Sequence, residues 1–186
     1  MNGLVNRAIE QLVVSMKGEA GWRGVCAHAG VAGVAADGFV SMQNYDDKVT
    51  FRLVAAVSER LGLPPEQVLE AFGEYWITHT ADEGYGALMT AGGSHLREFL
   101  GNLNEMHGRV ETIFAQLRIP LFRVEDVSDT EYRLYYASER EGLAPMVLGL
   151  VKGLAKRFKQ SIEVVQVHAK TDVRGADIFN VRHLPT

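Results

Sequence analysis

Cysteine occurs once, at Cys26, so the chain has neither an intramolecular disulfide nor a Cys-x-x-Cys metal or haem-attachment motif. No apolar run approaches the roughly 18–20 residues that span a bilayer. Met1 to Val14 alternates apolar with polar residues and lacks the small-residue cleavage site of a signal peptide. Positive charge is short as well: 19 Lys and Arg face 23 Asp and Glu, for a formal charge of −4 and a pI near 5.9. That balance argues against a general nucleic-acid binder. The basic cluster Lys152, Lys156, Arg157 and Lys159 reads as a solvated helix face and C-terminus. His-x-x-x-His pairs, a Gly-x-Ser-x-Gly elbow and a phosphate-binding glycine loop are missing, which removes the obvious zinc, hydrolase and nucleotide sites. The expectation is a cytoplasmic protein that engages neither nucleic acid nor membrane.

What is present is the composition of a globular domain, 47% hydrophobic and 23% charged over 186 residues. The first two thirds read as helices. Leu4, Ala8, Ile9, Leu12, Val13 and Met16 form a stripe at helical spacing that Gly18 is expected to stop. Met42 to Val49 is turn-like, and Val49 to Leu61 resumes helical periodicity. Pro64-Pro65 opens a helix carrying Val68, Leu69, Phe72 and Trp76 on its apolar face. Breaks are expected at Asp82 to Gly86 and at Gly92-Gly93-Ser94. Ser94 then caps a long helix striped by Leu96, Phe99, Leu100, Leu103, Val110, Phe114 and Leu117, which Pro120 ends. Beyond it, Leu121 to Val127 and Glu131 to Ala137 read as strands, Arg140 to Phe158 as a helix, and Ser161 to His168 and Ala176 to Arg182 as two more strands. The fold class is α+β: a helical N-terminal lobe, then an antiparallel sheet of about four strands with a packed helix.

Two features carry chemistry. His107 lies on the apolar stripe of the longest helix, one turn after Leu103 and three residues before Val110. An imidazole there is either a core histidine bonded to a carbonyl or a single axial ligand of the kind b-type haem iron requires. Tyr136, Ser138 and Arg140 stand at period two, so a strand would project them from one face. A phenol, a hydroxyl and a guanidinium together suit carboxylates, since Arg binds these bidentately and hydroxyls fill the remaining acceptor sites. The alternative is an exposed polar strand face.

Tyr-x-Ser-x-Arg, with Tyr136 standing 29 residues after His107 and Pro120 standing 13 residues after it, resembles the signature of the H-NOX family of haem nitric oxide/oxygen-binding domains. Further matching segments are Met1-Asn2-Gly3-Leu4-Val5, Phe72-Gly73-Glu74-Tyr75-Trp76, Glu83-Gly84-Tyr85, Arg97 to Leu100, Leu103 to His107 and Glu139 to Leu143. The resemblance covers essentially the whole chain and extends to cyanobacterial members and to the haem sensor domain of soluble guanylate cyclase. It implies a single haem-binding domain over residues 1–186, with a helical lobe over about 1–60 and a haem-flanking lobe with the sheet over about 61–186. Non-covalent protohaem IX (haem b) would lie between the lobes. His107 would be the iron ligand, Tyr136, Ser138 and Arg140 would hold the propionates, and Pro120 would press on the haem. Leu103 would also contact the haem.

Mapped in the same way, the distal pocket falls on Val5, Trp76 and Met146, with Leu4 and Leu150 nearby. Oxygen-binding members place a tyrosine where this chain has Met146. Bound dioxygen takes on negative charge, and a hydrogen bond to it is worth roughly 1.5–3 kcal/mol, or about tenfold to a hundredfold in affinity. The resemblance therefore implies a sensor of nitric oxide and carbon monoxide rather than dioxygen, unless the Trp76 indole N–H donates. It also implies signalling through release of His107 and a lobe shift to a separate partner, a histidine kinase or a cyclic-di-nucleotide enzyme. A haem enzyme would need a distal acid/base pair or a thiolate, which Val5, Trp76 and Met146 do not supply. A passive gas binder would use the same contacts without a partner.

Overall fold

The computed structural model describes the backbone of residues 1–41, 43–113, 118–170 and 175–185, and the side chains there except those of 80–85 and 113. The chain packs as two compact units, Met1–Phe72 and Gly73–Thr186, where the sequence reading puts the division near residue 60. Among the described residues, no helix is long and apolar enough to cross a membrane.

The first unit is built on α1 (Gly3–His28), α2 (Asp47–Leu61) and the larger part of α3 (Pro65–Tyr75). The regular helix of α1 is interrupted, as expected, at Gly18. The glycine takes a positive φ of 66°, a conformation open to glycine, and the helix resumes in a new direction beyond it. Beyond this residue Trp22 is buried in the core, edge-on to Phe39 at 6.3 Å, and Phe39 meets Tyr45 at 5.1 Å. Asn2 caps α1 by accepting from the Leu4 N–H at 2.8 Å. The Gly3 and Leu4 N–H groups donate to the carbonyls of Gln43 and Ser41. A Cβ on Gly3 would stand 2.0 Å from the Val40 carbonyl oxygen, so this turn of α1, with Leu4 and Val5, is pinned by its own backbone.

The second unit contains the end of α3, a π-helical turn (Trp76–Thr80), α4 (Ala81–Ala91), α5 (Leu96–Ile113) and α6 (Ala144–Arg157) around a four-stranded antiparallel sheet. The strands are β1 (Leu121–Ser128), β2 (Glu131–Ala137), β3 (Ile162–His168) and β4 (Asp177–His183), in the order β1-β2-β4-β3. Alternation puts Phe122, Tyr132, Leu134, Tyr136, Phe179 and Val181 on the buried face. Helix α5 packs along β1 and α6 along β3.

Two sequence expectations are corrected. Residues 82–86 do not break the chain, because α4 runs through Gly84 and Gly86. The irregularity sits earlier, in the π-helical turn, and α4 continues despite the roughly 1 kcal/mol that each interior glycine costs. Ser94 is not the acceptor that caps α5. The His95 Nδ1 accepts from the Glu98 N–H at 3.2 Å, while the Ser94 N–H and hydroxyl both donate to the Glu98 carboxylate at 2.8 and 2.7 Å. Phe114 and Leu117, expected on the α5 stripe, lie outside the described residues.

Backbone contact fixes α6 against the segment before it. A Cβ on Gly73 would stand 2.2 Å from the Met146 carbonyl oxygen, and one on Gly153 would stand 2.8 Å from the Ile77 Cβ and 3.0 Å from the Glu74 oxygen. Only hydrogen fits at these crossings, and they set Trp76 beside the helix that carries Met146 and Leu150. Gly153→Val should therefore lower stability by roughly 1–3 kcal/mol through overpacking. A lower midpoint in urea denaturation is the expected result.

Candidate functional site

Helix α5 buries Leu96, Phe99, Leu100 and Leu103 on one face, and His107 follows one turn later on that face. The His107 Nδ1 is buried and has no hydrogen-bond partner. Buried polar atoms are almost always paired, so Nδ1 of this ring is an exception that calls for an explanation. Burial holds the ring below the ordinary imidazole range; the Pro120 carbonyl acts in the opposite sense, without an ordinary hydrogen bond to Nδ1. The ring is therefore neutral at neutral pH, the form that ligates a metal.

Two polar links hold α5 on the edge strand β1. The Arg97 guanidinium binds Asp126 through Nε at 2.7 Å and through a second nitrogen at 2.9 Å. Asn104, one turn before His107, uses its whole carboxamide on Phe122: it accepts from the Phe122 N–H at 2.8 Å and donates to the Phe122 carbonyl at 2.5 Å. An edge strand leaves such groups open, and here a side chain fills them as a neighbouring strand would. Neither Asn104 nor Phe122 stood out in the sequence. The only signal was an Asn on an otherwise amphipathic helix, and nothing in the pattern paired it with a residue 18 positions away.

Phe122 joins the two predicted features. Its ring centroid lies 5.9 Å from that of His107 and 5.3 Å from that of Tyr136. Tyr136 is buried, and burial pushes its phenol above the ordinary range, partly offset by the Ser138 hydroxyl that hydrogen-bonds it. The Ser138 Oγ also accepts from the Arg140 N–H at 3.1 Å. Arg140 in turn donates through its guanidinium to the Arg118 carbonyl at 3.1 Å, tying down the segment that leads to Pro120.

The reason these three residues meet differs from the sequence argument. Strand β2 ends at Ala137, so Ser138 and Arg140 do not share its period-two face, and α6 begins only at Ala144 rather than at Arg140. A serine turn gathers them instead, its hydroxyl capturing the N–H two residues on, and Gly142 with a φ of 75° continues the turn.

Of the remaining candidates, Trp76, Met146 and Leu150 are half-buried on adjoining elements of the second unit, while Leu4 and Val5 are half-buried in the first. An open cleft of about 560 Å³ lies elsewhere in the second unit, lined by Ile77, Met89, Lys156 and Phe158 among others; none of the candidate residues lines it.

Asn104→Ala removes both bonds to Phe122 and should cost about 1–3 kcal/mol. Asn104→Asp keeps the acceptor for the N–H and loses the donor to the carbonyl, so its stability should fall between wild type and Asn104→Ala. Thermal denaturation of the three proteins in parallel checks the order.

The family model described as Haem-NO-binding matches residues 2–166. The chain is 34% identical over 161 residues to soluble guanylate cyclase gcy-32 of Caenorhabditis elegans, covering 84% of this chain and 23% of the relative. It is 28% identical over 186 residues to soluble guanylate cyclase gcy-35 of the same organism, covering 99% of this chain and 27% of the relative. The chain thus spans about a quarter of the length of these curated relatives. An H-NOX protein from S. oneidensis, solved in the Fe(II)NO ligation state, superposes with a TM-score of 0.84 at 19% identity over 100% of both chains. The unliganded Fe(II) H-NOX protein from K. algicida superposes with a TM-score of 0.81 at 20% identity, covering 100% of this chain and 98% of that one. At such identities the structural likeness speaks for the fold, and the family match carries the assignment: the chain belongs to the haem-NO-binding, or H-NOX, family.

Proposed function

We propose that this chain is a haem-based sensor of nitric oxide and carbon monoxide that is not itself catalytic and signals to a separate partner. One observation carries the reading: a single run of contacts leads from the buried, neutral His107 imidazole through Phe122 to Tyr136, Ser138 and Arg140. One end of that run has the chemistry of a metal ligand and the other that of a carboxylate cradle, the two things that non-covalent protohaem IX needs. When bound, the ferrous iron supplies the open coordination position that takes a diatomic gas.

The chain's residues do the rest. His107 offers a neutral imidazole because burial disfavours its protonation. Leu103, buried on the same face, and Pro120, whose carbonyl acts on the imidazole, shape the proximal side. Arg140 supplies the fixed charge for the propionates, with the Tyr136 and Ser138 hydroxyls beside it. Met146 and Leu150 have no side-chain donor, so they favour gases that carry little charge when bound. Trp76 is the one member of the distal set with an N–H. A donor role for it is the basis of the alternative reading as a dioxygen sensor.

The signal follows from how α5 is held. Asn104 and Arg97 tie the helix to β1 through contacts that do not involve His107. Were His107 released from a bound haem, one constraint would be lost while those two would remain, so the change would pass to β1 and the turn that holds Arg140. Such a shift is driven only by the ligand's differential affinity for the two arrangements. A histidine kinase or a cyclic-di-nucleotide enzyme is the class of partner proposed to read it.

His107→Gly should retain no haem after gel filtration, and added imidazole should restore the ferrous spectrum. Full haem content and an unchanged ferrous spectrum in that variant would overturn the assignment.

A further inference from the structure

Arg140 brings one fixed positive charge to the cradle, whereas protohaem carries two carboxylates. A second cation stands beside it. The Lys170 ammonium donates a hydrogen bond to the main-chain carbonyl of Ser138, the residue whose hydroxyl links Tyr136 to the Arg140 N–H. Lys170 lies in the connection from β3 to β4, 30 positions beyond Arg140, and no sequence motif joins it to the clamp.

Its position is built rather than incidental. Asp177, the first residue of β4, is 8% exposed and pairs in register with Tyr136. Its Oδ1 accepts from the Gln166 Nε2 at 2.9 Å and from the Lys170 main-chain N–H at 2.9 Å. A buried carboxylate directly across from Tyr136 therefore fixes the Lys170 backbone, leaving the side chain to reach the Ser138 turn. An ammonium has three donors; Ser138 takes one, and among the described residues no ion pair occupies the others.

We infer that Lys170 is a second cationic contact for the cofactor's carboxylates, completing with Arg140 a two-cation cradle; this rests on the haem-binding reading above. Lysine acts there as a point charge with rotatable donors, so it serves a carboxylate without needing the planar geometry of arginine. A purely structural lysine would tie the β3–β4 connection to Ser138 and be indifferent to the charge on the porphyrin.

The test measures haem release from intact wild-type, Lys170→Gln and Lys170→Arg proteins to an excess of scavenger globin. Each is loaded with protohaem IX or with its dimethyl ester, which lacks both carboxylate charges. Lys170→Gln should release protohaem roughly three- to tenfold faster than wild type, the size expected for a half-exposed charge-assisted bond. Lys170→Arg should stay near wild type, and the ester should leave all three proteins at one common rate. Uptake by wild type with Lys170→Gln releasing protohaem at the wild-type rate overturns the inference alone. So does an equal acceleration with the ester, which assigns Lys170 a structural role. A wild-type chain that takes up neither porphyrin overturns the haem-binding reading, and this inference falls with it.

Discussion

One carboxamide determines where the imidazole stands relative to the sheet. Asn104 closes both open main-chain groups of Phe122 on the edge strand, and the helix that carries it presents His107 one turn later. Because the bond is made to backbone, the helix is registered to the strand independently of which side chains pack between them. Phe122 is thereby held with its ring in contact with both His107 and Tyr136, so the proposed ligand end and the proposed carboxylate end of the site share one support. Arg97 and Asp126 set the same helix against the other end of β1, which prevents it from pivoting about a single point.

The opposite side of the second unit is positioned by absence. Gly73 and Gly153 let the end of α3 and the π-helical turn approach α6 at distances that no Cβ permits. Backbone-to-backbone packing leaves little room for adjustment, and a π-turn directly after such a crossing re-aims the helix within a few residues. Trp76 opens that turn, and Met146 lies at the Gly73 contact, so the proposed distal residues inherit a fixed spacing from two residues that have no side chain.

Much of this was legible in the sequence, for identifiable reasons. Strand β2 appears where period-two alternation puts it, and α5 starts within two residues of its cap signal, because both patterns are local and strongly periodic. His107 stood out since an imidazole interrupts a clean apolar stripe. Tyr136, Ser138 and Arg140 do lie together, but not on one strand face: a serine turn gathers them after the strand has ended. The π-helical turn and the continuation of α4 through Gly84 and Gly86 were not legible, because no local pattern separates them from a regular helix or a glycine break, whereas the interruption of α1 at Gly18 was. Nor could Asn104 or Lys170 be read as partners of the site, since each acts on the main chain of a residue distant in sequence.

The account's central claim is that an imidazole-ligated iron in this chain faces a distal set poor in hydrogen-bond donors. The most direct test is the absorption spectrum of the ferrous protein equilibrated in turn with carbon monoxide, nitric oxide and air. The account predicts a shifted Soret band with each of the first two gases, and in air either the unliganded ferrous spectrum or slow oxidation. A stable dioxygen spectrum in both wild type and Trp76→Phe, or no response to nitric oxide, would contradict it.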